Sequence, residues 1–242
     1  MKYLLSCLFL FIYFLSYSQP QSKKPLKELI DPKASGWSSV KGWIKGAKNN
    51  VEVLPKTQAN ANAALLQAQV TTRSPMGAVI YETGGILIDG GWLRILGSGS
   101  PRLPRSLMAW NKGKSYLKDG QKPSFLLVAD DVLGGFFAVN SGGLSKEEIG
   151  KVFYISPDNL LWESSGLGYS EFLQFCFSGN LESFYEGMRW KNWRADVQKI
   201  TGNQGIHCYP YLWSKESKGI DQASRKAIPI QELWSLYSGQ KK

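Results

Sequence analysis

The apolar positions change period along the chain, and those changes divide it into elements. In SGWSSVKGWIKGA (35–47), Trp37, Val40, Trp43 and Ile44 recur at helical intervals, so the stretch predicts a helix ending near Gly46. VEVLP (51–55) alternates like a short strand. KTQANANAALLQAQ (56–69) is rich in Ala, Leu and Gln behind Thr57, a residue type that caps helices. From residue 75 the runs shorten. MGAVIYE, GGILIDG and WLRILGSG are β-branched or aromatic and divided by Gly pairs, which predicts consecutive antiparallel strands. Residues 98–124 hold three prolines among many polar residues and predict a long surface excursion, a kind of segment that often carries function.

Strands resume at FLLVADD (125–131), GFFAVN (135–140), KVFYI (151–155) and LLWE (160–163). In DDVLGGFF the apolar positions alternate irregularly around Gly134-Gly135, which predicts a bulged strand. YSEFLQFCFSG (169–179) places Phe172, Leu173, Phe175 and Cys176 on one apolar arc, with Ser170 as the expected cap. Residues 180–202 continue as one bent or two successive helices, with Trp190, Trp193 and Val197 spaced as a core-facing set. GIHCYPYLW and SRKAIPI read as strand-like, and QELWSLYSG as a short closing helix. The sum is an α+β fold: a mostly antiparallel central sheet flanked by N-terminal and C-terminal helices.

Composition adds a compartment and a charge. The first eighteen residues, MKYLLSCLFLFIYFLSYS, join one Lys to an apolar run too short for a comfortable bilayer span and end in small residues at Ser16 and Ser18. We read 1–18 as a signal peptide, with an uncleaved anchor as the alternative, 19–25 as a flexible leader, and 26–242 as one α+β domain. No other run of about 18 apolar residues occurs, so no transmembrane segment is expected after cleavage. The localisation implied is periplasmic or secreted. The net charge is +10, from 29 Lys and Arg against 19 Asp and Glu, a field that attracts acidic surfaces. The basic residues are scattered and form no arginine-rich stripe, which argues against nucleic acid.

Chemistry is sparse. The only histidine, His207, sits in an apolar run and reads as structural. Cys208 beside it would point to the other face of a strand, so adjacency does not make a Cys-His pair. Cys176 and Cys208 leave open a disulfide or two buried thiols. No zinc spacing, nucleophile elbow, P-loop or dinucleotide fingerprint is present, and no cofactor is implied. Asp130 and Asp131 are adjacent on a strand and should diverge, one pairing with an arginine or capping backbone amides. A second reading uses Asp131 with Glu163 or Asp89 as paired carboxylates for hydrolysis of an envelope glycan, a chemistry that needs the two acids at a fixed separation.

The runs GGWLRILGSGSP, LLVADDVLGGFFAVNSGGL, VFYISPDNLLWESSGLGYSEFLQFCFSGN and GIHCYPYLWSKE resemble the bacterial family known as domain of unknown function 2625, over nearly all of residues 26–236. That resemblance implies no activity. The layout is more loosely similar to the SUKH superfamily, whose members include immunity proteins that neutralise toxins by binding them. Together these readings point to an exported, non-enzymatic binding protein with a protein partner. The expected surface is the excursion, through Arg102, Arg105, Trp110, Lys112, Lys114 and Tyr116, with Arg94 and Asp131 as a polar pair beneath it.

Overall fold

The computed structural model describes residues 23–239. The signal read at 1–18 and residues 19–22 of the leader lie outside the described residues. Seven strands form one sheet: β1 (Val51–Leu54), β2 (Gly85–Ile88), β3 (Leu93–Leu96), β4 (Phe125–Asp131), β5 (Phe136–Asn140), β6 (Lys151–Ile155) and β7 (Trp162–Gly168). They neighbour one another in chain order and every pair is antiparallel. A separate antiparallel pair joins β8 (Gln204–Tyr209) to β9 (Ser224–Pro229). The helices are α1 (Leu26–Leu29), α2 (Trp37–Lys45), α3 (Gln58–Ala68), α4 (Pro75–Glu82), α5 (Leu107–Asn111), α6 (Tyr169–Ser178), α7 (Leu181–Phe184), α8 (Trp193–Val197) and α9 (Ile230–Ser238). The α+β class with an antiparallel sheet is the one the sequence predicts.

Both faces of the sheet are covered, which is why β2 and β3 are buried at every position. Successive residues point to opposite faces. Phe137 meets Phe172 of α6 at 5.0 Å, and α2 and α4 pack against α6. Its neighbour Phe136 meets Trp234 of α9 at 5.0 Å and Trp110 of α5 at 6.5 Å. Trp92, Trp190 and Trp193 cluster with Tyr185 in the interior, as the spacing of Trp190, Trp193 and Val197 predicts.

Several expectations are corrected. MGAVIYE is not a strand but α4, because Ser74 accepts a hydrogen bond from the Gly77 N–H at 3.1 Å and Pro75 opens the first turn, a start signal that outweighs β-branched content. The helix at 169 is capped by Gly168 instead of Ser170, with the Glu171 carboxylate accepting the Gly168 N–H at 2.7 Å. The bulge lies in β4 between Leu127 and Ala129. Gly134-Gly135 is instead the turn into β5, with Gly134 at φ 85°. Cys176 and Cys208 are free and buried, and burial pushes the Cys208 thiol up to about 12.

The largest correction concerns residues 98–124. Residues 98–116 do not run over the surface but fold largely inward, whereas 117–124 stay at the surface as expected. Leu103, Leu107, Trp110, Asn111 and Tyr116 are all buried. Where β3 has ended, the Asn111 side chain accepts the Leu127 N–H and donates to the Leu127 carbonyl, both at 2.8 Å. It thereby supplies the hydrogen bonds that a strand neighbour would otherwise make.

Candidate functional site

The residues singled out in the sequence separate into an interior set and an outer set. Asp130 on β4 points to the same face as Arg94, its partner across the β3–β4 ladder. Its Oδ1 lies 2.6 Å from Arg94 Nη2, and its Oδ2 lies 2.5 Å from Arg105 Nη1. Arg94 also donates to the Gln204 and Asp131 carbonyls at 2.5 and 2.9 Å, and Arg105 donates to the Gly202 carbonyl at 2.7 Å. One carboxylate thus joins the sheet, the inward-folded segment and the approach to β8. All three side chains are buried, with Asp130 at 0 % exposure. Burial pushes the Arg94 pKa down from the usual guanidinium range, and Asp130 opposes that shift.

Asp131 faces the other way, as adjacent strand residues do. Its Oδ1 accepts the Leu133 and Gly135 N–H groups, each at 2.9 Å, and its Oδ2 accepts the Tyr154 hydroxyl at 2.7 Å. Burial raises its pKa, against the pull of the Tyr154 and Gly135 hydrogen bonds. Arg94 meets the Asp131 backbone, while its ion pair is with Asp130, so the expected polar pair is shifted by one residue. Both carboxylates are architectural: one an arginine bridge, the other a cap on the β4–β5 turn.

The aromatics of the segment are interior too. Trp110 is 7 % exposed and Tyr116 6 %, where both were expected on the surface. Tyr116 donates to the Met108 carbonyl at 2.7 Å. The Trp110 ring carries two cations, with the Arg105 guanidinium 4.5 Å and Lys114 Nζ 3.8 Å from its centroid. Of the predicted set, Arg102 and Lys112 are exposed, Arg102 paired with Glu52 and Lys112 with Asp119. Lys114 is half-buried, and its ammonium has no hydrogen-bonding or acidic partner among the described residues. Burial and the neighbouring Arg105 bring its ammonium down to about 8.

Lys114 stands at a groove of about 500 Å³ that no sequence pattern indicates. Phe125, Ile155, Leu160, Trp162, Trp234 and Tyr237 form its apolar walls. Phe125 lies 6.0 Å from Trp162 and 6.3 Å from Trp234, ring centre to ring centre. Tyr237 turns its hydroxyl inward to the Leu133 carbonyl at 3.0 Å. The lining includes neither Asp nor Glu. These wall residues come from segments up to 112 positions apart, Phe125 to Tyr237, and their sequence periods read as core; only the tertiary fold makes them a wall. Such a volume, walled by aromatic side chains with Lys114 and Ser238 as polar groups at its lining, falls in the size range of ligand-binding clefts.

The remaining titratable groups are elsewhere. His207 is half-buried against Tyr211 at 5.3 Å, and burial followed by Lys226 lowers its pKa. Among the described residues no group of three or more His, Cys, Asp or Glu is arranged to hold a metal ion. None of the described helices is long and apolar enough to cross a membrane.

Comparison with known proteins gives relatives but no activity. The family profile described as "Protein of unknown function DUF2625" matches residues 26–233. An "Uncharacterized protein" of Haemophilus influenzae is 48% identical over 206 residues, covering 85% of this chain and 90% of that protein. The "Putative uncharacterized protein YbfG" of Escherichia coli K12 is 44% identical over 218 residues, covering 88% and 95%. No solved structure matches significantly.

Proposed function

Since the chain belongs to the DUF2625 family, whose description assigns no activity, we propose from its own geometry that it is a binding protein which captures a protein partner in the groove beside Lys114. The observation that carries this reading is the contrast between the two kinds of site. The groove is open, aromatic and free of carboxylates, whereas the paired carboxylates Asp130 and Asp131 are sealed in the interior. Asp131, the residue a glycan hydrolase would need here, is 0 % exposed, with both oxygens engaged inside the protein. Its intended partner Glu163 is exposed on β7 and does not line the groove. A net charge of +10 favours an acidic partner. The signal peptide read at 1–18 supports capture outside the cytoplasm, and neutralisation of an exported toxin is the specific form the looser resemblance suggests.

The test is a comparative affinity capture from native envelope extract. Replacing Trp162 by Ala and Lys114 by Gln together removes one wall and the cation. Both side chains are only partly buried, so the melting temperature should move by no more than about 4 °C. The expected result is a species retained by the wild-type protein and lost from the variant. Identical capture by both would remove the groove from the account. Trp110, by contrast, is unsuited to such a test, because its truncation would empty part of the core.

A further inference from the structure

We infer that the segment entering the groove carries a carboxylate beside an apolar side chain, and that this carboxylate meets Lys114. The inference rests on the groove being the working surface and adds the chemistry of what it holds. A half-buried ammonium needs an anion or good solvation, and Lys114 has neither in full. Its close neighbours are the Trp110 ring at 3.8 Å and Arg105, a like charge. The ring's electrostatic attraction offsets only part of the lost hydration. Around the groove, Tyr237 of α9 is ionisable, but its hydroxyl is spent on the Leu133 carbonyl. Lys112 is turned to Asp119, and Arg105 is held by Asp130. An incoming carboxylate would therefore find one cation with no acidic partner among the described residues, set beside aromatic side chains.

The volume argues for a segment of a partner chain: about 500 Å³ accommodates side chains, not a folded domain. The apolar part of the segment replaces water against Phe125, Trp162 and Trp234, and the acid fixes its direction. The Lys114 amine changes charge near pH 8, so the acid's contribution is present below that pH and is lost as pH rises through it.

The probes are fluorescein-labelled peptides Gly-Ser-Leu-Asp-Gly-Ser and Gly-Ser-Leu-Asn-Gly-Ser, titrated by anisotropy against the purified protein. At pH 7 the Asp peptide should bind about tenfold tighter, the lower end for a hydrogen bond to a charged group because Lys114 is partly solvated. The preference should shrink between pH 7 and 9 and vanish in Lys114→Gln. In Lys114→Arg it should persist to pH 9, since a guanidinium does not titrate there. Equal affinities for the two peptides, a preference surviving in Lys114→Gln, or binding of neither peptide would each overturn the inference. Only unchanged capture by the Trp162→Ala, Lys114→Gln protein overturns the groove itself, so the two failures are distinct.

Discussion

Replacing Asp130 by Ala should destabilise the protein by about 3–5 kcal/mol, because two interior guanidiniums then lose the carboxylate they share. Arg94 is 2 % exposed and Arg105 7 %, so water cannot take the place of the missing acid without opening the interior. The loss falls on three parts of the fold together, since Arg94 holds the carbonyl of Gln204 and Arg105 that of Gly202. For a chain of this length it corresponds to a melting temperature lower by roughly 6–20 °C, readable by calorimetry. The arginine variants sharpen the test. Removing Arg94 and Arg105 along with Asp130, with apolar residues of similar volume in their places, should recover much of the loss, because no buried charge is then left unpaired. A small effect of Asp130→Ala would mean that the cluster is hydrated.

Gly135→Ala should cost about 3 kcal/mol, from overpacking plus a broken buried hydrogen bond. A Cβ at Gly135 would stand 2.2 Å from Asp131 Oδ2 and 2.3 Å from the Tyr154 hydroxyl. Neither atom has an easy retreat. Asp131 is fixed by the Leu133 and Gly135 amides, and the Tyr154 ring is stacked at 4.4 Å on Phe137 and lies 5.2 Å from Phe184. Gly42 provides the control. It lies within α2, and a Cβ there meets nothing within 4 Å, so Gly42→Ala should be neutral or stabilising by up to about 1 kcal/mol. Urea unfolding of the two variants side by side reads the difference. Equal stabilities would contradict the packing described around the β4–β5 turn.

How far the fold was legible follows from which signals were local. The strands β1 to β7 and the helices α2, α3, α6 and α9 carry local signals. Helical period marks α2 and α6, short β-branched or aromatic runs between glycines mark β2 and β3, which are buried throughout, and an Ala-rich run behind Thr57 marks α3. β7 starts two residues later than LLWE and runs on to Gly168. α4 was misread because its β-branched run hides a local signal, the Ser74-Pro75 start. Residues 98–116 fold inward against expectation for a different reason, while 117–124 stay at the surface as their polarity predicts. Polar residues of 98–116 are accommodated by partners far away in sequence: Arg105 by Asp130, and Asn111 by the Leu127 backbone. Polarity there marks buried hydrogen bonding instead of exposure. The divergence of Asp130 and Asp131 follows from strand geometry, but which of them meets Arg94 does not: the pair expected with Asp131 falls to Asp130, and Asp131 caps backbone amides. The groove was not, since Lys114, Phe125, Trp162 and Trp234 meet only through the meander of the sheet and the return of α9. Lys114 was singled out in sequence for the company of Trp110, and that contact exists, but Trp110 serves it from within.

The polar pairs of this protein hold its frame, and its open groove is the surface we propose to act. Native mass spectrometry of the purified protein incubated with envelope extract tests this most directly, because one spectrum reads both association and chemical change. The expected result is a non-covalent adduct on the wild-type protein, absent from the Trp162→Ala, Lys114→Gln variant, whose ligand is released with its mass unaltered. A ligand released in cleaved form, by the wild-type protein but not by Asp131→Asn, would contradict it.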